Sequence, residues 1–123
     1  LKREKPIGVI GLHKIDPYDR SASLGVFIGE KDYWGKGYGA EAVILVLDYG
    51  FNVLNLHSIN LYVKSFNKRA INCYLKVGFK QVGKIRERVF QGGRFYDVLV
   101  MDILEEEFNS KYNSFFRRVV REA

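Results

Sequence analysis

A chain of 123 residues has room for one core and one domain. Its 47% hydrophobic and 28% charged composition excludes a disordered or fibrous protein, and its formal charge of +6 suits an anionic partner without choosing among nucleic acid, an acidic surface and a polyphosphate. The one cysteine, Cys73, excludes an internal disulfide, and the longest apolar run, Ala42 to Leu47, is too short to span a bilayer.

In chain order, Leu1-Lys2-Arg3-Glu4-Lys5-Pro6 has no long apolar core behind it and does not read as a signal peptide, which together with the lone cysteine predicts a cytoplasmic protein. Ile7 to Ile15 reads as a strand and Asp16-Pro17-Tyr18-Asp19-Arg20 as a turn with Pro17 at its first corner. Ser21 to Ile28 is a second strand, antiparallel to the first because the turn is short. Then comes the densest pattern in the sequence, Trp34-Gly35-Lys36-Gly37-Tyr38-Gly39. From Gly39 a helical face of Ala40, Val43, Ile44, Leu47, Tyr49-Gly50 and Phe51 follows, with Gly50 or the stretch from Asn52 to Asn55 marking its exit. Ile59 to Val63 is a short strand, and the unit from the second strand to this one is β-α-β, so those two strands should be parallel.

Ser65 and Asn67 are cap candidates for a helix from Lys68 to Val77, which Gly78 stops. Phe79 to Phe90 is a strand with broken alternation, Gln91-Gly92-Gly93-Arg94 a hairpin turn, and Phe95 to Leu104 the final strand. The tail, residues 105–123, starts polar and then carries Phe115, Phe116 and Val119. It fits a short docked helix and a frayed end alike. The order is β-β-α-β-α-β-β, an α+β arrangement of a mixed, mostly antiparallel sheet flanked by helices.

Two stretches can carry chemistry. Glycines at alternate positions before a helix expose backbone N–H groups where the helix dipole favours an anion, yet the same glycines also serve a tight structural turn. The loop is neither a Walker loop nor a dinucleotide fingerprint, since both the Lys-Ser/Thr pair and the G-x-G-x-x-G spacing are missing. Asn67 either caps its helix or bonds an amide-rich ligand. Tyr74 lies two turns on and is either core or a proton donor. Two histidines and one cysteine, far apart in sequence, give no metal-site spacing, and no metal is expected. No run of basic and aromatic residues marks a nucleic-acid face, and no membrane partner is expected.

These residues together resemble the GCN5-related N-acetyltransferases (GNAT), and within them the bacterial group of ribosomal-protein N-terminal and spermidine acetyltransferases. The family's Q/R-x-x-G-x-G/A loop is matched from Trp34 to Gly39, with Trp34 in place of the polar residue. Its N-x-x-A-x-x-x-Y-x-K-x-G-F motif is matched by Asn67, Ala70, Tyr74, Lys76, Gly78 and Phe79. The resemblance runs from about Ile7 to Leu104, giving a GNAT-like core over residues 1–104 and a tail over 105–123.

The resemblance implies acetyl-CoA as co-substrate and an amine acceptor, either a protein N-terminus such as that of a ribosomal protein or a polyamine. The amine would attack directly, through a tetrahedral intermediate. Backbone N–H groups of Gly35, Lys36, Gly37, Tyr38 and Gly39 would hold the pyrophosphate, with Trp34, Lys36 and Arg69 near it. The pantothenate arm would pair with Phe27, Ile28 and Gly29 where the neighbouring parallel strand splays away, and a backbone N–H near Phe27 would polarise the acetyl carbonyl. Asn67 would bond the pantetheine and Tyr74 would protonate the departing thiolate. Members often carry a glutamate as base where this chain has Ser23, so Glu30 and His13 are the candidates, with Asp32 and Glu41 behind them. Cys73 lies about 100° from Tyr74 around the helix, which argues against a covalent acetyl-enzyme. Family members also begin with further elements before the position of Ile7, so the fold reads as N-terminally incomplete, and a homodimer is expected. The alternative is a CoA-binding module without catalysis.

Overall fold

The computed structural model describes residues 8–28 and 38–112. Strand β1 (Gly8–Asp16) turns back into β2 (Ser21–Ile28) through Asp16, whose Oδ1 accepts from the backbone N–H of Tyr18 at 2.9 Å and of Asp19 at 3.1 Å. A side chain that satisfies two turn donors in this way is why an aspartate opens the corner. Helix α1 (Tyr38–Asn52) follows, then β3 (Ser58–Lys64), α2 (Lys68–Val77), the β4–β5 hairpin (Lys80–Gln91 and Arg94–Leu104) and α3 (Glu105–Lys111).

The five strands form one sheet in the order β1-β2-β3-β5-β4. Every contact is antiparallel except β2 with β3, as the β-α-β reading expected. That parallel contact covers only Ser21↔Ser58, Ala22↔Ile59 and Ser23↔Asn60. Beyond it, among the described residues, β2 continues to Ile28 with β1 alone as partner, and β3 continues to Lys64 with β5 alone. The sheet is therefore split between its second and third strands at one end.

Every second residue builds the core. Leu24 and Ala22 on β2, Ile59, Leu61 and Val63 on β3, and Met101 and Ile103 on β5 share one face. Val43, Leu47 and Phe51, spaced by four on α1, belong to the same cluster as Ala70, Tyr74 and Val77 of α2 and Phe108 of α3. Gly50 lets α1 come this close. A Cβ there would lie 3.0 Å from both Ile59 Cδ1 and Leu12 Cδ1, tighter than packed side chains tolerate without moving. The start of the tail is now clear. Phe108 is fully buried against Phe51, and the Tyr112 hydroxyl donates to Val77 O at 2.6 Å, so α3 docks on this molecule.

β4 departs from the simple alternation. Register shifts fall between Gln81 and Gly83 and between Ile85 and Val89. At the second, Glu87 takes a positive φ of 50° and its N–H donates to Asp97 Oδ1 at 2.9 Å. Phe79, expected in the strand, precedes it and is buried beside Tyr74. The expected hairpin turn is present, with φ of 60° at Gly92 and 80° at Gly93 as a two-residue turn requires.

Candidate functional site

The split between β2 and β3 is where two of the expected residues, Phe27 and Ile28, lie. Along residues 24–28, the edge of β2 that faces β3 has no strand partner among the described residues. Backbone groups there can take an extended ligand as they would another strand. This is where Phe27 and Ile28 lie, both within β2 and paired on its other edge with Val9 and Gly8. Gly29, Glu30, Asp32, Trp34, Gly35, Lys36 and Gly37 lie outside the described residues. Tyr38 and Gly39 are the first residues of α1, so the glycine pattern does end in a helix start.

At the closed end of the split, the Ser23 hydroxyl donates to Asn60 Oδ1 at 2.9 Å, joining the last paired residues of the two strands. Ser23 is buried. His13 stands opposite it on β1, and its ring lies on Gly25, close enough that a Cβ at 25 would be 3.2 Å from His13 Cδ2 and Nε2. The side chain itself is exposed rather than half-buried, the commoner state of a strand histidine. Register extends this polar row through Asn60 to Asp102 and Lys80. Burial, then the charge of Glu107, pushes the Asp102 carboxyl up, with Lys80 opposing.

On α2, Asn67 is the N-cap, its Oδ1 accepting from Ala70 N–H at 3.2 Å. The capping reading of Asn67 is therefore realised. Arg69 is exposed in the first turn of the helix. Tyr74, at 5% exposure, packs edge-on to Phe79 with ring centroids 5.8 Å apart. Burial, with a smaller contribution from Cys73, pushes its hydroxyl up to about 12, so it is held protonated. Burial also raises the Cys73 thiol against the pull of Lys76, which disfavours the thiolate a nucleophile needs. Tyr74 and Asn67 thus share a helix two turns apart, while His13 sits two strands away across the split.

Glu41 is an exposed residue of the first turn of α1, where an acid favours the helix dipole. His57 is a loop residue before β3, with Nδ1 3.8 Å from Glu105 Oε1 at the opposite end of the sheet. Among the described residues no cluster of three or more His, Cys, Asp or Glu could hold a metal, and no helix is long and apolar enough to cross a membrane. Sequence reasoning missed Asn60 as the partner of Ser23, and also the buried carboxylate of Asp48. Asp48 Oδ1 accepts from Asn52 Nδ2 at 2.8 Å, and the same amide reaches Asn109 Oδ1 at 3.1 Å, tying α1 to α3. Asp48 had a signal of its own, a charge between Leu47 and Phe51 on the apolar stripe. Asn60 had none without the register.

Comparison with known proteins converges on one family. The profile described as the acetyltransferase (GNAT) domain matches residues 1–80. The spermidine N(1)-acetyltransferase of Vibrio cholerae is 36% identical over 102 residues, covering 83% of this chain and 58% of that protein. Its counterpart in Escherichia coli K12 is 32% identical over 107 residues, covering 87% and 57%. A solved structure of mutant forms of the Vibrio cholerae spermidine/spermine N-acetyltransferase SpeG superposes with a TM-score of 0.78 at 35% identity, covering 85% of this chain and 60% of that one. The chain spans less than two thirds of the length of these relatives.

Proposed function

We propose, because this chain belongs to the GNAT family of acetyltransferases, that it moves an acetyl group from acetyl-CoA to a primary amine, a polyamine in the first instance. The split between β2 and β3 carries the reading, because a strand edge with no partner among the described residues, followed in the chain by a helix start, suits a long amide-bearing arm that ends in phosphates. The polyamine is supported by the two relatives from Vibrio cholerae and Escherichia coli, both spermidine acetyltransferases. A protein N-terminus is the other acceptor to test.

In this reading the backbone of Phe27, Ile28 and Gly29 pairs with the pantothenate arm. The loop from Trp34 to Gly39, with Lys36 and Arg69, meets the phosphates, and Asn67 holds the pantetheine near the cap it forms. The new bond joins the amine nitrogen to the acetyl carbon, and the carbon–sulfur bond breaks. Tyr74 gives its proton to the sulfur, a role supported by a hydroxyl that stays protonated up to about pH 12. The proton lost by the amine passes to His13 or to water. His13 is supported by its place across from Ser23 at the closed end of the split. Glu30 is the second candidate base.

Two experiments test this. Acetyl-CoA should raise the melting temperature by native-state binding while adenosine does not, and no shift with acetyl-CoA would remove the reading. On an amine panel, Tyr74→Phe should lower kcat by about 100-fold or more with the KM for acetyl-CoA nearly unchanged. Binding without turnover of any amine would favour the alternative of a catalytically silent CoA-binding module. A cytoplasmic homodimer belongs to the same proposal. The dimer is supported by the apolar residues Leu45 and Tyr49 of α1 and Leu54 just after it, exposed beside Ile15 of β1, and light scattering that reports a monomer at every concentration would count against it.

A further inference from the structure

We infer, resting on the acetyl-transfer reading in which Tyr74 protonates the departing sulfur, that Tyr112 just after α3 is a positioning residue for that step. It closes the C-terminal turn of α2 and through that turn fixes where Tyr74 points. Proton transfer works only within hydrogen-bond reach, so a small swing of the helix end would slow it. α2 cannot resist such a swing alone. It has ten residues, fewer than an isolated helix needs to be stable in water, and only Ala70, Tyr74 and Val77 among them are buried.

The C-terminal turn is where outside help is needed. The last four carbonyls of a helix have no partner within it, here those of Tyr74, Leu75, Lys76 and Val77. Tyr74 O is satisfied by the chain that follows directly, accepting from Gly78 N–H at 3.0 Å and Phe79 N–H at 2.9 Å. Lys76 O and Val77 O accept from much farther along. Lys111 Nζ donates to the first and the Tyr112 hydroxyl to the second, each at 2.6 Å and from 35 residues on in the chain. The ammonium of Lys111 also suits the negative end of the helix dipole.

The two donors are not equally well placed. Lys111 is exposed on a flexible stem, whereas Tyr112 is half-buried against the core. Its ring lies 4.8 Å from that of Phe108, which is fully buried and 5.4 Å from Phe51 of α1. Asn109 Oδ1 ties α3 to α1 again, accepting from Asn52 Nδ2 at 3.1 Å. α3 thus bridges the helix in which the glycine pattern ends and the helix that carries Tyr74. Burial, then the charge of Cys73, raises the hydroxyls of both tyrosines, so Tyr112 keeps the proton it gives to Val77 O. Nothing local in the sequence marks Tyr112, because its partner is a backbone carbonyl in another helix. A cap that only stabilises and a cap that positions differ in what their loss changes. The first lowers stability alone, the second also lowers the rate at saturating substrate.

The test is a double-mutant cycle on the full chain, with acetyl-CoA and the best amine of the panel, well below the melting temperature of every variant. Tyr112→Phe keeps the ring and removes only the donor. It should lower kcat about tenfold, with the KM for acetyl-CoA within about twofold of the unaltered chain. In a Tyr74→Phe background the same change should lower kcat by less than about twofold, because a residue that acts through the Tyr74 hydroxyl has nothing left to place. Lys111→Met should lower kcat about threefold, and Lys111→Arg, which keeps a donor at the helix end, should recover it. If Tyr112→Phe does not fold, the Lys111 pair carries the same cycle. Two results overturn the inference and leave the acetyl-transfer reading standing. One is an unchanged kcat in Tyr112→Phe, or in Lys111→Met where that variant stands in, when Tyr74→Phe is slow. The other is an equal loss in both backgrounds, the mark of general loosening. An unaltered chain that acetylates no amine, or a Tyr74→Phe variant as fast as the unaltered chain, removes the role of Tyr74 and this inference with it.

Discussion

The two faces of the sheet are made by neighbouring residues of the same strands, and they differ in nearly every property. One face carries Leu12, Leu24, Ile59, Leu61, Met101 and Ile103 beneath three helices. The other carries His13, Ser23, Asn60, Asp102 and Lys80 in a single row, with Tyr62 exposed beside it. Because side chains alternate along a strand, a one-residue slip would exchange the two sets, so the apolar face fixes where the polar row must lie. The fold is determined on one side, with Tyr74 buried among its side chains, while His13, Ser23 and Asp102 stand on the other.

The sharpest way to break this contrast is to weaken the apolar side. Leu61 is 2% exposed at the centre of β3, and Leu61→Ala should cost about 2–5 kcal/mol in chemical denaturation through lost burial and a cavity. Next in size is a pH effect on the same side. Tyr74 has its folded-state pKa raised to about 12 from an ordinary 10. Its contribution is therefore fully present below pH 10 and lost as pH rises towards 12, by about 3 kcal/mol at most. Denaturant melts from pH 9 to 11.5 should show a steeper fall for the unaltered chain than for Tyr74→Phe. Equal slopes would mean that the hydroxyl is not buried in solution. Smaller again is Ser23→Ala, which leaves Asn60 Oδ1 without its donor and should cost about 1–2 kcal/mol, while Ser23→Ala with Asn60→Leu should recover part of that loss.

Much of the apolar side was legible in the sequence. The spacing of Val43, Leu47 and Phe51, the stop at Gly78 and the turn at Gly92-Gly93 each follow from local rules, and the structure realises all three. The parallel contact of β2 and β3 also followed from the connection between them. The limits of that contact did not, because pairing depends on partners far apart in sequence. Asn60 sits in an ordinary strand, and only its register with Ser23 marks it as the closed end of the split. The β4 bulge was hidden for the same reason, since two register shifts are properties of a pair of strands. Phe79 read as the start of a strand because it alternates with the residues after it, yet burial beside Tyr74 won. At Asn67 the sequence offered a cap or a ligand contact, and the cap is what the described residues form.

The smallest predicted effect is the most informative about the open face. Tyr62 is next to Leu61 and 56% exposed, paired across the sheet with Val100. If this face meets water in solution, Tyr62→Ala removes little packing and should change stability by about 0.5 kcal/mol or less. Two neighbouring residues of one strand would then differ several-fold in cost, which is the contrast between the faces reduced to a single pair. A loss at Tyr62 approaching that at Leu61 would instead mean that the face is covered in solution. If that loss shrank on dilution, a second copy of the chain would be the cover, because a partner held by mass action dissociates as concentration falls.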